Sequence, residues 1–345
     1  MTNTLKIAAV QMIALPAPTA ERLARAARQV SAAAQAGADV VVLPEIFNIG
    51  YEYSTANYER AETLDGPTVT WMKQAAAEHQ IYLAGSILLR DGDDIFNAML
   101  LFAPDGQMWR YDKNYPWAWE RAYFKNGQAI TIADTPLGKF GMLICADVTH
   151  TDLWAEYGGK VQAMLVSSCP PLVSDLTIAL PDGQRIRQAD HHPILRRVRT
   201  QSQETFGDYL RRQSSHLGVP LVNTTGTGHF RSHIPRPKMA VLLMGFFFPR
   251  IWKHFKQAEQ IEIETDYFNE TYISDAAGQV LAQVPPETEG FVMAEVNLPA
   301  TPPPAKGKPP RYGMPLSGYG FDWFFRRVAA ATYRQHQTTG VIKKA

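Results

Sequence analysis

Cysteine is scarce in this sequence: there are two in 345 residues, Cys145 and Cys169. That is too few, and too widely spaced, for a paired-cysteine zinc site or a disulfide framework, and it suits a reducing compartment. Neither sign of charge is in excess. Lys plus Arg is 34 and Asp plus Glu is 33, a balance of +1, without the basic surplus of a protein built around a nucleic-acid backbone. Long apolar runs are missing too: no window reaches the roughly 18 residues of a spanning helix. Met1 to Met12 lacks the long apolar region and small-residue cleavage site of a secretory leader. The expectation is a cytoplasmic protein. No internal repeat is visible. What is present is an ordinary globular composition, 46% hydrophobic and 19% charged. A chain of this length buries enough surface to need no disulfide or metal staple.

The first third alternates strand and helix patterns. Leu5 to Met12 reads as a strand, and Thr19 to Gln35 as a helix with Thr19 as its cap candidate and Gly37 just past its end. Val40 to Leu43 is a continuous apolar run, as expected of a buried strand. Pro67 to His79 reads as a helix opened by proline, and Ile81 to Leu89 as the next strand. Ile95 to Phe102 and Gln107 to Tyr111 flank a Pro-Asp-Gly turn and read as a hairpin. Strands are expected at Phe140 to Cys145, Val161 to Ser167, Val219 to Asn223 and Phe291 to Val296, with helices at His150 to Tyr157 and Thr200 to Leu217. Tyr272 to Ser274 and Gln279 to Ala282 read as a second hairpin. Strands that alternate with helices early and form hairpins later imply mixed sheets in a layered α/β fold. Pro170 to Arg199 reads as an irregular surface excursion.

Glu45 ends an apolar strand, Lys113 follows a hairpin strand, and Cys145 ends another strand. Singly, each has a structural reading: a turn residue, a solvated lysine, a small core thiol. Together their contexts resemble the carbon–nitrogen hydrolase family, the nitrilase superfamily. Ala8-Ala9-Val10-Gln11 resembles its opening strand, and Gly37 to Glu45 the strand that delivers a catalytic glutamate. Asn97 to Phe102, Pro104-Asp105-Gly106 and Tyr111-Asp112-Lys113 resemble the hairpin leading to a catalytic lysine. Glu120, Phe124 and Gly127 keep the family's Glu-x3-Phe-x2-Gly spacing, and Gly141 to Asp147 resembles the nucleophile segment. The resemblance is close over residues 5 to 168 and weaker over 205 to 298.

The resemblance implies an α-β-β-α four-layer sandwich with mixed sheets. It implies hydrolysis of a non-peptide carbon–nitrogen bond in a small-molecule amide or nitrile, with no metal or organic cofactor. Cys145 would be the nucleophile, Glu45 the general base and acid, Lys113 with the Ala146 backbone N–H the oxyanion stabiliser, and Glu120 the positioning glutamate. Cys145-Ala146-Asp147 leans towards amidases over nitrilases, whose pattern is Cys-Trp-Glu. Ala146 replaces the aromatic residue that often follows the nucleophile, which suggests a bulky or long-chain acyl group unless Trp117, Trp119 or Trp154 fills the space. The rivals are a nitrilase, an acyltransferase and a non-catalytic membrane-surface binder on the same fold. Cys169 reads as structural, His150 as a helix-start or rim residue, and Asn223 to Gly226 as structural.

The hydrolase domain is expected over 1–298, with insertions near 170–199 and 229–266, and a C-terminal arm and aromatic, basic tail over 299–345. Met239 to Phe248 holds ten residues without a polar side chain, bracketed by Arg236, Lys238, Arg250, Lys253 and Lys256. Phe246, Phe247, Phe248 and Trp252 are its candidate contact residues, and Phe321, Trp323, Phe324 and Phe325 repeat the theme in the tail. The segment suits a subunit contact in a homodimer or larger homo-oligomer, or a membrane surface on the inner face, with plain core as the third reading.

Overall fold

The computed structural model describes residues 3–172, 175–187, 204–246, 248–312 and 316–342. The chain opens with β1 (Asn3–Ile13), α1 (Thr19–Gln35) and β2 (Val40–Val42). Then come α2 (Ala56–Arg60), α3 (Pro67–His79), β3 (Tyr82–Asp91), β4 (Asp94–Phe102) and β5 (Met108–Asp112). A 3₁₀ turn at Ala118–Ala122 precedes the hairpin β6 (Ile132–Thr135) and β7 (Gly138–Ile144). A second 3₁₀ turn, Cys145–Thr149, leads to α4 (Thr151–Tyr157) and β8 (Ala163–Ser167), then β9 (Thr177–Ala179) and β10 (Arg185–Arg187). A π-helical turn at Glu204–Tyr209 runs into α5 (Leu210–Leu217), followed by β11 (Leu221–Thr224), β12 (Gly226–Thr227) and β13 (His229–His233). After α6 (Pro237–Met244) and a 3₁₀ stretch at Pro249–Gln260 come β14 (Glu262–Asp266), β15 (Tyr272–Ser274), β16 (Val280–Gln283), β17 (Gly290–Leu298) and α7 (Leu316–Thr338).

Two mixed sheets lie face to face. One has the order β12-β1-β2-β3-β4-β5 with β17 antiparallel to β1, and the other β16-β15-β11-β8-β7-β6. Alternation along each strand decides what lies on either side. Ile7, Ala9, Val40 and Val42 meet Met142, Ile144 and Leu165 between the sheets. Ala8, Val10 and Val41 point the other way, onto Ala26 and Val30 of α1 and Val69 and Met72 of α3. Leu153, Trp154 and Tyr157 of α4 and Leu210 and Leu217 of α5 cover the second sheet, which completes helix, sheet, sheet, helix. The chain steps from the second sheet to the first between β11 and β12. Asn223, Thr224 and Thr225 at that step are fully buried and spend their side chains on backbone and side-chain partners such as Glu270 O and Thr271 Oγ1.

Several details depart from the sequence reading. Thr19 is the first helical residue, after Pro18, and makes no capping bond. Pro170 to Arg199 is not simply irregular: β9 and β10 pair there, and with β14 and β13 they build a third, four-stranded sheet. Residues 188–203, which include the expected start of the Thr200 helix, lie outside the described residues. The β6–β7 hairpin lacked a Gly-Asn or Pro-Asp turn to announce it. The tail from Tyr319 to Tyr333 is part of α7, whose Ala329 and Tyr333 are buried in a core shared with the third sheet. Tyr333 accepts a bond from Ile95 N (3.0 Å) and donates one to Asp94 Oδ1 (3.1 Å). Between β17 and α7 the arm runs from the start of β8 to α5, with Pro299 O and Pro310 O accepting from Gln162 and Gln213.

Candidate active site

Three strand ends converge at the shared edge of the two large sheets. β2 is three valines, and Pro44, which has no N–H to donate, ends its ladder. The Leu43 carbonyl then accepts from Ser167 Oγ (2.9 Å) and Thr224 Oγ1 (3.2 Å), both in the second sheet. Glu45 N donates to Ser168 O at 3.3 Å, so the residue leaves its own sheet clamped to the other. Lys113 follows β5, with its N–H on Asn97 O (2.9 Å) and its carbonyl accepting from Gly127 N (2.8 Å). Any Cβ at Gly127 would sit 2.1 Å from Asp112 O, which explains glycine at that spacing from Glu120. Glu120 lies in the 3₁₀ turn, its Oε2 accepting from Trp117 N at 2.5 Å.

Cys145 follows β7 with φ of 45°, a left-handed backbone that a β-carbon makes costly, by about 1–3 kcal/mol. This bend takes the thiol out of the strand direction at the head of the 3₁₀ turn. The turn is held by Asp147. Its carboxylate accepts from Tyr115 N (2.7 Å), Tyr111 OH (2.8 Å) and Ile144 N (3.3 Å). Tyr111 and Tyr115 flank Lys113, so one buried carboxylate ties the cysteine turn to the lysine segment.

At the centre, Lys113 Nζ donates to Glu45 Oε1 (2.7 Å) and to Glu120 Oε2 (2.7 Å) and Oε1 (3.0 Å). Lys113, Glu45 and Glu120 are buried, and Cys145 keeps 7% of its surface exposed. Asn97 Nδ2 also donates to Glu45 Oε1 (2.7 Å), and Ser86 Oγ orients Asn97 by donating to its Oδ1 (2.6 Å). Tyr51 OH donates to Glu120 Oε1. The second Glu45 oxygen, Oε2, has no hydrogen-bond partner among the described residues. Burial raises the Glu45 pKa, Lys113 opposes and Glu120 adds to the rise. Burial raises the Cys145 thiol well above its ordinary value, and the Glu45 charge adds to that. Burial works against the Lys113 ammonium, but Glu120 and Glu45 outweigh it and hold the group firmly protonated. The thiol is therefore neutral and the ammonium fixed, and the Glu45 carboxyl keeps one unengaged oxygen.

Cys169 is fully buried, and a Cβ on Gly226 would approach its sulfur to 2.5 Å. Its backbone slightly offsets the rise of the Cys145 thiol. His150 stands at the N-cap position of α4 without a side-chain capping bond, and its ring stacks on Tyr115. Trp154 is buried with Nε1 on Val148 O (2.8 Å), and Trp119 belongs to the core of the third sheet. Ala146 is buried beside Cys145. Phe248 is buried, Phe246 and Trp252 are exposed, and Phe247 lies outside the described residues. Trp323 is exposed beneath the Arg327 guanidinium, while the side chains of Phe321, Phe324 and Phe325 lie outside the description. The sequence reading assigned no role to Asn97, Tyr51 or Asp147. Asn97 carried a signal, an amide inside the apolar run of β4, because a buried amide needs partners. Tyr51 carried none.

Asp147 supports a pH prediction. Burial pushes its pKa up to about 7, with Lys113 and the Tyr111 and Tyr115 donors opposing. A carboxyl whose folded pKa is raised holds its proton longer in the folded state than in the unfolded one. Its stabilising effect is complete below the unfolded value of 3.8 and is lost as pH rises to about 7. Asp147→Asn should abolish that slope in urea unfolding between about pH 4 and pH 7. It should also cost about 1–3 kcal/mol, because the new amide N–H faces the Ile144 N–H. An unchanged slope would place the titration elsewhere.

Residues 6–302 match the carbon-nitrogen hydrolase family. An omega-amidase, NIT2-A of Xenopus laevis, is 33% identical over 172 residues, which is 47% of this chain and 62% of that protein. A nitrilase of Pyrococcus abyssi is 29% identical over 147 residues, 41% of this chain and 56% of that one. The chain thus spans less than two thirds of the length of these curated relatives. Among solved structures, Nit3 of Saccharomyces cerevisiae, a member of branch 10 of the nitrilase superfamily, superposes with a TM-score of 0.60 at 20% identity, covering 86% of this chain and 90% of that one. An amidase of Nesterenkonia sp. AN1 carrying an acetamide moiety on its active-site cysteine gives 0.60 at 16% identity, covering 85% and 90%. These two likenesses are of fold, and they match the layers described above. With the family match running over most of its length, the chain belongs to the carbon-nitrogen hydrolase family.

Proposed function

We propose that this protein hydrolyses the carbon–nitrogen bond of a small-molecule amide through a thioester on Cys145. The observation that carries the reading is the Lys113 ammonium held between Glu45 and Glu120 while Glu45 Oε2 stays unengaged. A buried carboxylate oxygen without a donor is a base with a proton still to take. Glu45 takes the Cys145 proton as sulfur attacks the amide carbon, and the oxygen becomes an oxyanion. The Lys113 ammonium and the Ala146 backbone N–H meet that charge. Glu45 returns the proton to the leaving nitrogen, the C–N bond breaks and an amine or ammonia departs. Water then enters, Glu45 takes one of its protons as the oxygen adds to the thioester carbon, the C–S bond breaks and Glu45 returns the proton to sulfur, leaving a carboxylic acid and the free thiol. Glu120, held by Tyr51, keeps the ammonium in place. The raised Glu45 pKa brings the base nearer to the working pH, and the neutral thiol makes that base necessary.

Amide is preferred to nitrile because Ala146 and Asp147 follow Cys145 where nitrilases commonly carry Trp and Glu; the relatives include both an omega-amidase and a nitrilase. The acyl group is read as bulky or apolar. Ala146 places no ring beside the nucleophile, and aromatic rings wall the site. Tyr51 lies 5.9 Å, centroid to centroid, from both Tyr53 and Phe230, and 6.5 Å from Tyr267. The test is release of amine or ammonia from amides and nitriles of graded acyl length, with mass spectrometry of the quenched enzyme. Acid from amides, with an acyl mass on Cys145, is the expected result. Turnover of nitriles alone would make the enzyme a nitrilase. An acyl adduct discharged only by added amine would make it an acyltransferase, and no adduct from any amide would refute the thioester.

A further inference from the structure

The segment from β13 to β14 has two faces. The inner one is core: Phe230, Ala240, Val241, Phe248, Ile251 and Ala258 pack with Tyr51 and Tyr53 of the site wall. The outer one is an apolar knob. Phe246 is 74% exposed, Leu242 52%, Trp252 43% and Leu243 37%. The knob is preformed. The Phe246 and Trp252 rings meet edge to face at 5.5 Å, and Trp252 Nε1 donates to Leu242 O at 3.3 Å. The indole lies against Gly245, where any Cβ would come within 1.8 Å of Nε1. Glycine there is a requirement of the knob and not of the hydrophobic core.

Charge along the segment that carries the knob is one-sided. Residues 236–260 hold five cations, Arg236, Lys238, Arg250, Lys253 and Lys256, against one acid, Glu259, in a chain whose whole balance is +1. Lys253 is paired with Asp182 at 3.0 Å and Arg236 bonds Gln335. Lys238, Arg250 and Lys256 are exposed and form no ion pair among the described residues. We propose that this knob docks the protein on an anionic lipid surface, with Phe246, Trp252 and Leu242 entering the boundary between headgroups and acyl chains, and Lys238, Arg250 and Lys256 meeting the lipid phosphates. Aromatic and aliphatic side chains inside a collar of cations match both layers of that boundary. Ten apolar residues are too short to cross it, and no helix among the described residues is long and apolar enough to do so. A second copy of the chain is the poorer occupant. A two-fold contact would bring each cationic collar against its own image.

The test is co-sedimentation of the full chain with phosphatidylcholine vesicles containing phosphatidylserine, beside pure phosphatidylcholine vesicles. Wild type should pellet with the anionic vesicles, and high salt should release it by shortening the screening length. Phe246→Ser should weaken binding about tenfold, as should Arg250→Glu combined with Lys256→Glu. Both variants alter exposed side chains, and an unchanged thermal melt checks their folding. Failure of wild type to pellet with anionic vesicles overturns the proposal, as does undiminished pelleting of both variants. Light scattering supplies the last arm: a wild-type dimer that Phe246→Ser converts to monomer would assign the knob to a second copy.

Discussion

Cys145→Ala should bring amide turnover down by about a millionfold, the scale on which loss of a nucleophile acts in hydrolases that work through a covalent intermediate. Cys169→Ala should keep most of it. The two thiols are neighbours in the fold and both are pushed up by burial, so pKa does not separate them. Geometry does. Cys145 sits on a left-handed backbone at the head of a turn and retains a sliver of accessible surface. Cys169 is sealed between Gly226 and Tyr267. Alkylation by a haloacetamide should follow the same order, Cys145 reacting first, because its thiolate can form by transfer to Glu45. The measurement is ammonia release under saturating amide together with the mass of each cysteine peptide after alkylation. Equal labelling of the two thiols, or turnover that survives Cys145→Ala, would refute the assignment.

Lys113→Met should cost the fold about 3–5 kcal/mol in addition to abolishing turnover. The side chain is fully buried and is the hydrogen-bonded counter-ion of two buried carboxylates. Removing it leaves Glu45 and Glu120 facing each other with no cation between them, and that is the costly way to break a buried ion cluster. Two further outcomes test the cause. The stability loss should shrink as pH falls, because a protonated carboxyl needs no counter-ion. Adding Glu120→Gln to Lys113→Met should recover part of the stability and none of the activity. Urea unfolding of the three proteins across pH measures all of this. A Lys113→Met protein as stable as wild type would mean that one carboxylate is already neutral in the native state.

The two Glu45 oxygens differ in their contacts. Oε1 is engaged by Lys113 and Asn97, while Oε2 has no partner among the described residues and is the oxygen the proposed mechanism would use. The polar chain from Ile46 N through Ser86 and Asn97 fixes that division, since it orients the carboxylate before any substrate arrives. The same economy shows at Asp147, which spends its oxygens on holding two segments together.

Local pattern determined much of this protein by itself. Apolar runs and alternation placed β1, β2, β3 and β8 within a residue or two, because a strand buried on both faces admits only apolar side chains wherever the rest of the chain goes. Proline and glycine placed α3 and the β4–β5 turn, because their backbone restrictions are local. The ordered motifs carried the family. Tertiary structure alone decided the partners. Tyr51 meets Glu120 across 69 residues and Glu45 meets Lys113 across 68, and no periodicity records a contact at that separation. The third sheet was illegible for a related reason: β9 and β10 are three residues each, too short to show a period, and β9 is a strand because β14 supplies its partner, as β9 does for β10. The apolar stretch near residue 245 was visible in the sequence, but its division was not. Which of its side chains face the core and which face outward depends on the core of the third sheet lying beneath it, and that core is assembled from segments distant in the chain.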